Sequence, residues 1–267
     1  MAFKHITSRD NPVFKQLKKL AESARERSKE SLTLLDGVHL IEAYLQVFGE
    51  PQLLIIPEGK SSLEATALMQ QLQDVNTMML PTLMFAELTP VTSSTGILAL
   101  VHIPTLVTPS DVNLALMVED IQDPGNMGSM LRTAAAAGVQ VVYLSKGCTD
   151  AWSPKALRGG QGAQFMLPII ENADLVQCLQ GFAGHSYAMA MQGESLYNQH
   201  LTSPSVFVVG NEGSGLSAKV LQASTKPVTI PMAGQHALAV ESLNAAAATA
   251  ICLFECQRQR LAAIIHE

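Results

Sequence analysis

The sequence has few aromatic residues and no long apolar run. Phe, Trp and Tyr make up 5% of the 267 residues, while Ala, Leu, Val and Met are abundant. This composition is typical of an α/β protein rather than a β sandwich. No stretch approaches the roughly 18 consecutive apolar residues of a membrane helix, so we expect no membrane span. Residues 1–15 lack the apolar core of a signal peptide, which indicates a cytoplasmic protein.

Cysteine is also scarce, and its spacing matches no metal-binding or redox motif. The chain has four cysteines, Cys148, Cys178, Cys252 and Cys256. No pair among them has the spacing of a zinc knuckle or a redox motif, and no histidine cluster accompanies them. We therefore expect reduced thiols that act as small apolar side chains, and no bound metal.

Positive charge is scarce overall but concentrated at the start of the chain. The net charge is −6, which by itself argues against a phosphate-binding protein. Residues 1–30, however, hold eight of the 17 Lys and Arg residues and only four acidic ones. A basic segment on an acidic protein is compatible with a nucleic-acid partner and equally with a solvated helix face. Both interpretations stay open at this point.

The first hundred residues predict a small α/β domain. Residues 10–30 form a basic helical pattern, with Asn11 as candidate N-cap and Pro12 at the first helical position. Apolar runs then predict strands at 32–37, 51–57, 75–80 and 96–101, and helices at 38–48, 61–73 and 82–88. The segment 102–111 contains two prolines and is the expected linker. The predicted domains are 1–105 and 112–267.

The alternation of strands and helices restarts after the linker. Strands are predicted at 113–119, 139–145, 165–170, 185–191, 205–210 and 226–232. Helices are predicted at 127–138, 173–182, 215–223 and 241–265, and the segment 153–163 is helical or loop-like. Continuous apolar strands separated by helices predict a mostly parallel sheet with helices on both faces. In such a sheet, ligands bind beyond the carboxyl ends of the strands.

The loop after strand 113–119 carries an arginine in an otherwise uncharged stretch. Asn126 is a candidate cap for the helix that begins there, and Arg132 shares a helix face with Gly128, four residues earlier. Arginine suits phosphate because its planar fork donates hydrogen bonds in pairs and stays ionised. A single solvated charge on an alanine-rich helix is the alternative interpretation.

The loop after strand 205–209 contains three glycines and a glutamate, Glu212. Read from Gly213, it fits the dinucleotide-binding pattern G-x-G-x-x-G/A, which requires an acidic residue about 20 positions later. No carboxylate follows until Glu241, so we disfavour a nucleotide-dependent oxidoreductase. The glycines indicate either close approach of a ligand to the main chain or a plain tight turn.

The loop after strand 227–231 leads into the last helix. It runs from Ile230 and Met232 to Ser242 and Asn244, either of which could begin the helix. Helix capping by itself can explain a serine or asparagine at such a position. It does not explain why polar residues gather there beside two other glycine-bearing loops.

Taken in order, the three loops resemble motifs of the SpoU-type (TrmH-like) RNA 2′-O-ribose methyltransferases of the SPOUT superfamily. The matching patterns are N-x-G-x-x-x-R at 126–132, G-[NS]-E-G-x-G-[LM] at 210–216, and I-P-M-x-G followed by [ES]-S-L-N at 230–244. The segment 153–163 looks like the family's S-P-K-x-x-R-x-x-x-G-A. The resemblance covers about 113–260, and residues 6–20 are similar to the substrate-binding domain often fused in front. Residues 235–240 form a longer insertion than relatives usually have.

The resemblance implies a catalytic domain with a deep trefoil knot, which composition or periodicity could not have predicted. It also implies S-adenosylmethionine, bound in a bent form and held largely by main-chain groups of the knotted loops. The residues implied to contact this cofactor are Gly210, Ile230, Met232, Gly234 and Leu243.

The implied reaction is methyl transfer to a ribose 2′-hydroxyl, without a metal. The resemblance assigns Arg132 to the phosphate of the target nucleotide and to assistance in deprotonating the hydroxyl. The residues implied to orient the ribose and Arg132 are Asn126, Glu212, Ser242 and Asn244. A homodimer with an active site completed across the interface is also implied. The apolar helical stretch 245–255 is a candidate contributor to that interface, or else part of an intramolecular core.

RNA is the partner that the resemblance implies. Its contacts are expected in residues 4–29 and at Lys155 and Arg158, with recognition through shape and phosphates. An N-terminal domain of about 100 residues favours ribosomal RNA, because smaller tRNA-specific relatives often carry only short extensions. A tRNA 2′-O-methyltransferase and a non-catalytic RNA-binding or ribosome-assembly factor are the alternatives.

Overall fold

The structure is a computed structural model that describes residues 3–59, 61–89, 95–233 and 242–265. Its contacts divide the chain into two compact units. Unit 1 consists of Met1–Thr105 and Asp150–Phe165, and unit 2 of Leu106–Thr149 and Met166–Glu267. The sequence-based ranges 1–105 and 112–267 differ from these units in the segment 150–165, which packs with the N-terminal residues. Gly234 and the inserted residues 235–240 lie outside the described residues.

The described part of unit 1 contains a five-stranded mixed sheet. Its strands are β1 (Phe3–His5), β2 (Leu32–Asp36), β3 (Leu53–Pro57), β4 (Thr77–Leu80) and β5 (Leu98–His102). In the order β1-β4-β3-β5-β2, the first three are parallel and β5 is antiparallel to both its neighbours. Leu34 and Ile55 of this sheet share a buried core with Phe14 and Leu17. The sequence pattern does not predict β1, because three residues are too few to show an alternation.

The helices of unit 1 follow the predicted order, with one difference. They are α1 (Pro12–Glu22), α2 (Ala24–Glu30), α3 (Val38–Phe48), α4 (Leu63–Gln71), α5 (Thr82–Ala86) and α7 (Pro154–Gly160). Asn11 caps α1 as predicted, since its side chain accepts a hydrogen bond from the amide of Val13. The predicted single helix over 10–30 is wrong. Ser23 is extended (φ −120°, ψ 114°), and its hydroxyl caps α2 by accepting from the amide of Glu26.

The described part of unit 2 contains a six-stranded parallel sheet. Its strands are β6 (Leu114–Val118), β7 (Val141–Leu144), β8 (Ile169–Ile170), β9 (His185–Ser195), β10 (Ser205–Val209) and β11 (Lys226–Thr229). Their order is β11-β9-β10-β6-β7-β8, and every pair is parallel. The helices are α6 (Pro124–Ala136), α8 (Leu175–Gly181), α9 (Ala218–Ala223) and α10 (Ala245–Ile265).

The predicted cover on both faces of this sheet is confirmed. Every residue of β6 and β10 is buried, which a strand achieves only when both sheet faces are covered. Leu175, Leu179 and Val220 of α8 and α9 pack against one face. Helix α10 contacts β10 and α6. None of the described helices has the length and apolar composition of a membrane span.

Two strand predictions in unit 2 are corrected. The strand expected over 165–170 is only β8, because residues 163–165 form a short 3-10 helix. Strand β9 runs four residues further than expected, to Ser195, because the last two residues of β11 pair with Glu194 and Ser195. The register of that pairing shifts between Pro227 and Val228, so the edge of the sheet is irregular where β9 and β11 end.

Candidate functional site

The candidate site lies at the carboxyl ends of β6, β10 and β11. The loop after β6 leads into α6, the loop after β10 contains Glu212, and Asn244 directly precedes α10. These are the loops that the sequence singles out, and the parallel sheet brings them together at one edge. The geometry of the site is therefore set by hydrogen bonds between loops that are distant in sequence.

Helix α6 begins at Pro124 and is capped by Asp123. The carboxylate Oδ1 of Asp123 accepts a hydrogen bond from the amide of Asn126 at 2.8 Å, and proline occupies the first helical position. The prediction that Asn126 caps this helix is therefore wrong, because the aspartate three residues earlier already satisfies the first turn. The side chain of Asn126 is left available for contacts with the other loops.

Asn126 joins the three loops in one hydrogen-bonded chain. Asn244 Nδ2 donates to Asn126 Oδ1 at 2.9 Å, and Asn126 Nδ2 donates to Glu212 Oε1 at 3.1 Å. The carboxylate of Glu212 also accepts from the backbone amides of Gln122 and Asp123, each at 3.1 Å. Three of the residues predicted to be catalytic are thus connected, since Asn126 is hydrogen-bonded to both Asn244 and Glu212.

The hydrogen bonds around Glu212 favour its ionised form. Partial burial would by itself raise the pKa of this carboxyl group. The hydrogen bond from Asn126 and those from backbone amides outweigh this effect and lower the pKa below the usual glutamate value. Glu212 is therefore an acceptor that fixes the orientation of Asn126, and not a proton donor at neutral pH.

Asn244 is both a helix cap and a member of this chain. Its Oδ1 accepts from the amides of Ala246 at 2.9 Å and Ala247 at 3.2 Å. Its Nδ2 is the group that donates to Asn126. Of the two candidate starts for the last helix, the structure therefore selects Asn244. Capping accounts only for the hydrogen bonds of the side-chain oxygen, whereas the nitrogen binds Asn126 of the site.

Two of the three glycines in the β10 loop are required by the turn, for different reasons. A Cβ at Gly210 would lie 2.3 Å from the carbonyl carbon of Gly215 and 2.4 Å from the amide nitrogen of Leu216. Gly215 itself has φ +70°, a conformation that favours glycine. A Cβ at Gly213 would meet only the side-chain oxygen of Asn211, at an ordinary 3.6 Å. The turn alone therefore accounts for Gly210 and Gly215.

Asn211 organises this turn, although it is a position of the matched motif that was not predicted to be a site residue. Asn211 exchanges two backbone hydrogen bonds with Gly215, and its Oδ1 accepts from the amides of Gly213 and Ser214. Its Nδ2 donates to the carbonyl of Asp120 at 2.8 Å, which links the turn to the β6 loop. The available signal is its place between Gly210 and Glu212, where an asparagine can hydrogen-bond to amides two residues on.

A cavity of about 410 Å³ lies beside this turn and the ends of β9, β10 and β11. Its size is within the range of small-molecule sites, about 300–1,000 Å³. Main chain of the glycine turn, apolar side chains and a few polar groups form its walls. The lining residues are Met189, Ala190, Met191, Val209, Gly210, Asn211, Glu212, Gly213, Ser214, Gly215, Leu216, Leu221, Val228, Thr229, Ile230, Met232, Ser242, Leu243, Ala245, Ala248 and Cys252.

Most of the predicted cofactor contacts line this cavity. Gly210, Ile230, Met232 and Leu243 all do, whereas Gly234 lies outside the described residues. Of the residues predicted to be catalytic, Glu212 and Ser242 also line the cavity. The cavity and the hydrogen-bonded chain therefore meet at Glu212.

The cavity fits the S-adenosylmethionine that the resemblance implies. Apolar side chains such as Leu216 and Leu243 suit its adenine ring and methylene groups, and the main chain at Gly210 and Ile230 offers polar groups. The described lining residues include the carboxylate of Glu212 and no Lys or Arg. A sulfonium cation therefore meets no like charge there.

Arg132 occupies an exposed position on α6. It forms no hydrogen bond or ion pair with any residue in the described parts of the chain. Ser242 is likewise exposed at the edge of the cavity. Both side chains are accessible to a large ligand, but the structure does not join them to the Asn244–Asn126–Glu212 chain.

The basic segment at the start of unit 1 is partly neutralised by acidic neighbours. Ion pairs join Arg9 and Lys18 to Glu87, Lys15 to Asp10, and Lys29 to Glu30. Arg27 is only 4% exposed and pairs with Asp150 at 2.5 Å, so it is excluded from contact with a phosphate. Lys4, Lys19 and Arg25 are exposed and form no ion pair with residues for which the structure gives positions.

On α7, Lys155 is exposed and Arg158 is half-buried. Both belong to the segment 150–165 of unit 1. They therefore belong to the same unit as the exposed basic side chains of the N-terminal segment.

The cysteines are free thiols, and Cys252 is close to the site. Cys252 and Cys256 are buried in α10, and Cys252 lines the cavity. Burial raises the pKa of Cys252 to about 12, so its thiol stays protonated and unreactive at neutral pH. Within the described ranges, no group of three or more His, Cys, Asp or Glu side chains could hold a metal ion.

Similar proteins are found for almost the whole chain. Residues 113–254 match the model of the SpoU rRNA Methylase family. An uncharacterized tRNA/rRNA methyltransferase of Synechocystis sp. is 34% identical, over 97% of this chain and 95% of its own length. RlmP of Bacillus subtilis, a 23S rRNA (guanosine(2553)-2′-O)-methyltransferase, is 33% identical, over 94% of this chain and 98% of its own.

Solved structures with the same fold are also found. The SpoU methyltransferase AviRb from Streptomyces viridochromogenes, in complex with the cofactor AdoMet, is 25% identical with a TM-score of 0.80. The match covers 94% of this chain and 98% of that chain. The range matched by the family model contains all the loops that meet at the cavity.

Proposed function

Since the chain belongs to the SpoU rRNA methylase family, we propose that it transfers a methyl group from S-adenosylmethionine to a ribose 2′-hydroxyl of ribosomal RNA. The observation that supports this best is the chain of hydrogen bonds from Asn244 through Asn126 to Glu212. It ends on the wall of a cavity that fits the cofactor. A protein that only bound RNA would need neither the cavity nor the oriented carboxylate.

The cofactor site is the cavity beside the glycine turn. Bound S-adenosylmethionine would supply an activated methyl group to the ribose oxygen, with S-adenosylhomocysteine as the leaving group and the hydroxyl proton released to solvent. Gly210, Ile230, Met232 and Leu243 hold the cofactor, and on the resemblance Gly234 completes the set.

The remaining work is to align the ribose and to help its hydroxyl lose a proton. Arg132 binds the phosphate of the target nucleotide. Because arginine stays protonated, its charge also favours the ionised form of the neighbouring hydroxyl. Asn126, Glu212, Ser242 and Asn244 orient the ribose through hydrogen bonds, whereas Arg132, which bonds to none of the described residues, takes its orientation from the phosphate.

Ribosomal RNA is the proposed substrate, rather than tRNA. RlmP, which matches over nearly the full length of both chains, is named for 23S rRNA. The exposed cations of unit 1, Lys4, Lys19 and Arg25, supply phosphate contacts, together with Lys155 of α7. We infer a cytoplasmic site of action, since RlmP, which matches over nearly the full length of both chains, is a bacterial protein named for 23S rRNA.

We also infer a homodimer and a trefoil knot in unit 2. Phe254, Leu261 and Ile264 expose large apolar side chains on α10, which supports an interface on that helix. Light scattering at micromolar concentration should give twice the 28.6 kDa chain mass. For the knot, pulling from both ends should give an unfolded length shorter than that of a free chain of 267 residues.

The proposed function is tested first by calorimetric titration with S-adenosylmethionine and S-adenosylhomocysteine. We expect saturable binding of both at one site per chain. Ribose-methylation mapping of ribosomal RNA and tRNA from a strain without the gene should then show one missing modification, in ribosomal RNA. A missing modification in tRNA would overturn the assignment of ribosomal RNA as the substrate. Absence of cofactor binding, with and without RNA present, would overturn the activity.

A further inference from the structure

The side chain of Gln122 is bound in a way that neither helix capping nor the proposed reaction explains. Its Nε2 donates to the carbonyl oxygen of Gly147 at 2.7 Å, to that of Asp120 at 3.1 Å and to Asp120 Oδ1 at 3.0 Å. The amide group has two N–H donors, so three acceptors saturate it. Gln122 is nevertheless exposed and contributes nothing to the core.

The backbone of the same residue binds the site. The amide of Gln122 donates to Glu212 Oε2 and the amide of Asp123 donates to Glu212 Oε1, each at 3.1 Å. Gln122 is therefore fixed at two points. Its side chain is held by the β6 loop and the turn after β7, while its main chain holds the carboxylate.

The turn after β7, residues 145–149, is itself hydrogen-bonded to the β6 loop that Gln122 belongs to. The amide of Ser145 donates to the carbonyl of Val118, and the hydroxyl of Ser145 accepts from the amide of Asp120 at 3.0 Å. The amide of Thr149 donates to the carbonyl of Ile121 at 2.7 Å. The β6 loop is thus tied to this turn before and after Asp120.

The conformation of Asp120 requires such an anchor. Its φ of +57° lies in the left-handed region, which few residues other than glycine adopt. Its carboxylate oxygen lies 2.0 Å from the position of a Cβ at Gly147, so a larger residue there would displace the Asp120 side chain. The side-chain amide of Gln122 closes this arrangement by binding both residues.

We propose that Gln122 is a positioning residue for methyl transfer. Its side chain fixes the β6 loop so that two consecutive backbone amides hold the carboxylate of Glu212 towards Asn126. Without the two amide hydrogen bonds, Glu212 is held by Asn126 alone, so the direction of its carboxylate is less well defined. Gln122 does not line the cavity, so its effect is on alignment and not on cofactor binding. The inference rests on the proposed function for its kinetic consequence only.

The first test does not depend on activity. The pKa of the Glu212 carboxyl group is measured by carbon-13 NMR titration of the full-length protein, with Glu212→Gln to assign the signal. Because the backbone amides help to lower this pKa, Gln122→Ala should move the titration midpoint upwards. Gln122→Met keeps the length of the side chain but has neither an N–H nor a charge, and should do the same. An unchanged midpoint in both variants would overturn the proposal.

Gln140 provides a matched control. Its side chain also makes three hydrogen bonds to backbone groups, accepting from the amides of Asn113 and Leu114 and donating to the carbonyl of Asp111. These hydrogen bonds are at the start of β6, where the strand leaves the linker, and not at the site. Gln140→Ala should leave the Glu212 midpoint and the kcat of methyl transfer unchanged.

The second test is kinetic and shows whether Gln122 acts through Glu212. We expect Gln122→Ala to lower kcat by about tenfold, since small misplacements of reacting groups are costly. The Kd of S-adenosylmethionine should stay within about twofold of the wild-type value. Such a change is well below the roughly 1.4 kcal/mol that corresponds to a tenfold change in affinity. The acid limb of the pH–kcat profile should move to higher pH, because a carboxylate with fewer donors protonates sooner.

A double-mutant cycle completes the test. In a Glu212→Gln background, Gln122→Ala should cost little more, because the group it positions is already altered. Additive losses would show that Gln122 acts independently of Glu212 and would overturn the proposal. Should the wild-type protein methylate no RNA, the proposed function fails, whereas the NMR titration still decides the role of Gln122.

Discussion

Residues of the β10 turn differ in what they contribute: glycines meet its steric requirements, and Glu212 supplies a charged group. Gly210 is packed by the main chain of Gly215 and Leu216, while Gly213 has free space. Glu212 lies between them in the sequence, and its carboxylate accepts the hydrogen bonds that join this turn to the β6 loop and α6. The sequence alone leaves open whether a ligand or a tight turn requires these glycines. The structure shows that the turn itself needs two of them, and that this turn forms one wall of the cavity.

We therefore predict that Gly210→Ala reduces the affinity for S-adenosylmethionine by at least about tenfold, or 1.4 kcal/mol. The added Cβ would lie 2.3 Å from backbone, which cannot move unless the turn opens. Gly213→Ala is the control, because its Cβ meets nothing closer than 3.6 Å. Calorimetric titration of both variants measures the difference. Equal affinities would show that the turn does not shape the cofactor site.

Arg132 is predicted to act on the RNA and not on the cofactor. Arg132→Ala should lower kcat by about 100-fold or more, because both phosphate binding and assistance to the hydroxyl are removed. The Kd of S-adenosylmethionine should remain near the wild-type value, since Arg132 does not line the cavity. Arg258→Ala is the control, an exposed arginine whose surface pair with Glu255 contributes little. Wild-type turnover in Arg132→Ala would contradict the assignment.

At the level of secondary-structure elements, two helix starts determine the site. Helix α6 is capped by Asp123, which leaves Asn126 free to bridge the loops. Helix α10 is capped by Asn244, whose second side-chain group reaches Asn126. The ends of the helices thus combine a structural and a functional role in adjacent atoms. The two roles of such a side chain can be tested separately, by substitutions that remove one of its two polar groups and keep the other.

Asn244→Asp and Asn244→Ala should differ in stability but not in catalytic defect. The aspartate keeps the cap and suits the helix N-terminus, so the unfolding free energy should stay near wild type. Alanine removes the cap and should cost about 1 kcal/mol. Neither variant can donate to Asn126, so kcat should fall in both. Thermal unfolding and single-turnover methyl transfer give the two quantities. A fully active Asn244→Asp would show that the link to Asn126 is dispensable.

At the scale of the whole molecule, charge is distributed unevenly. The net charge is −6, yet basic residues cluster at the start of unit 1. Several of them are neutralised by carboxylates, and Arg27 is buried against Asp150. Among the described residues of this segment, few cations therefore remain for phosphates. RNA affinity should accordingly depend on salt less steeply than the count of Lys and Arg alone implies.

We predict that Lys19→Gln combined with Arg25→Gln weakens RNA binding and lowers its salt dependence. The slope of log K against log salt should decrease by about 0.7 for each phosphate that the variant no longer neutralises. The control is Lys219→Gln with Arg258→Gln, which removes the same charge from unit 2. Cofactor affinity should be unaffected in both. An equal weakening of RNA binding in the control would show that only net charge matters.

The amino-acid sequence by itself determined the order of strands and helices, apart from β1 and the break between α1 and α2, as well as the parallel class of the second sheet and the loops that form the site. Apolar runs and motif spacing are properties of some ten consecutive residues, so they can be read without knowing the fold. For the same reason, the positions 126, 212 and 244 can be selected before their contacts are known. Gly234 and residues 235–240 remain predictions, since they lie outside the described residues.

Only the tertiary structure decided which atoms meet. Asn126 and Glu212 are 86 positions apart in the chain, and Asn244 and Asn126 are 118 apart. No local pattern encodes such a pair, because a polar side chain takes whichever partner the packed sheet brings within reach. The hydrogen bond from Gln122 to Gly147 could not be predicted for this reason, whereas the cap at Asp123 is local and is signalled by an aspartate directly before Pro124. The packing of segment 150–165 in unit 1 was decided in the same way, by contacts with residues far away in sequence.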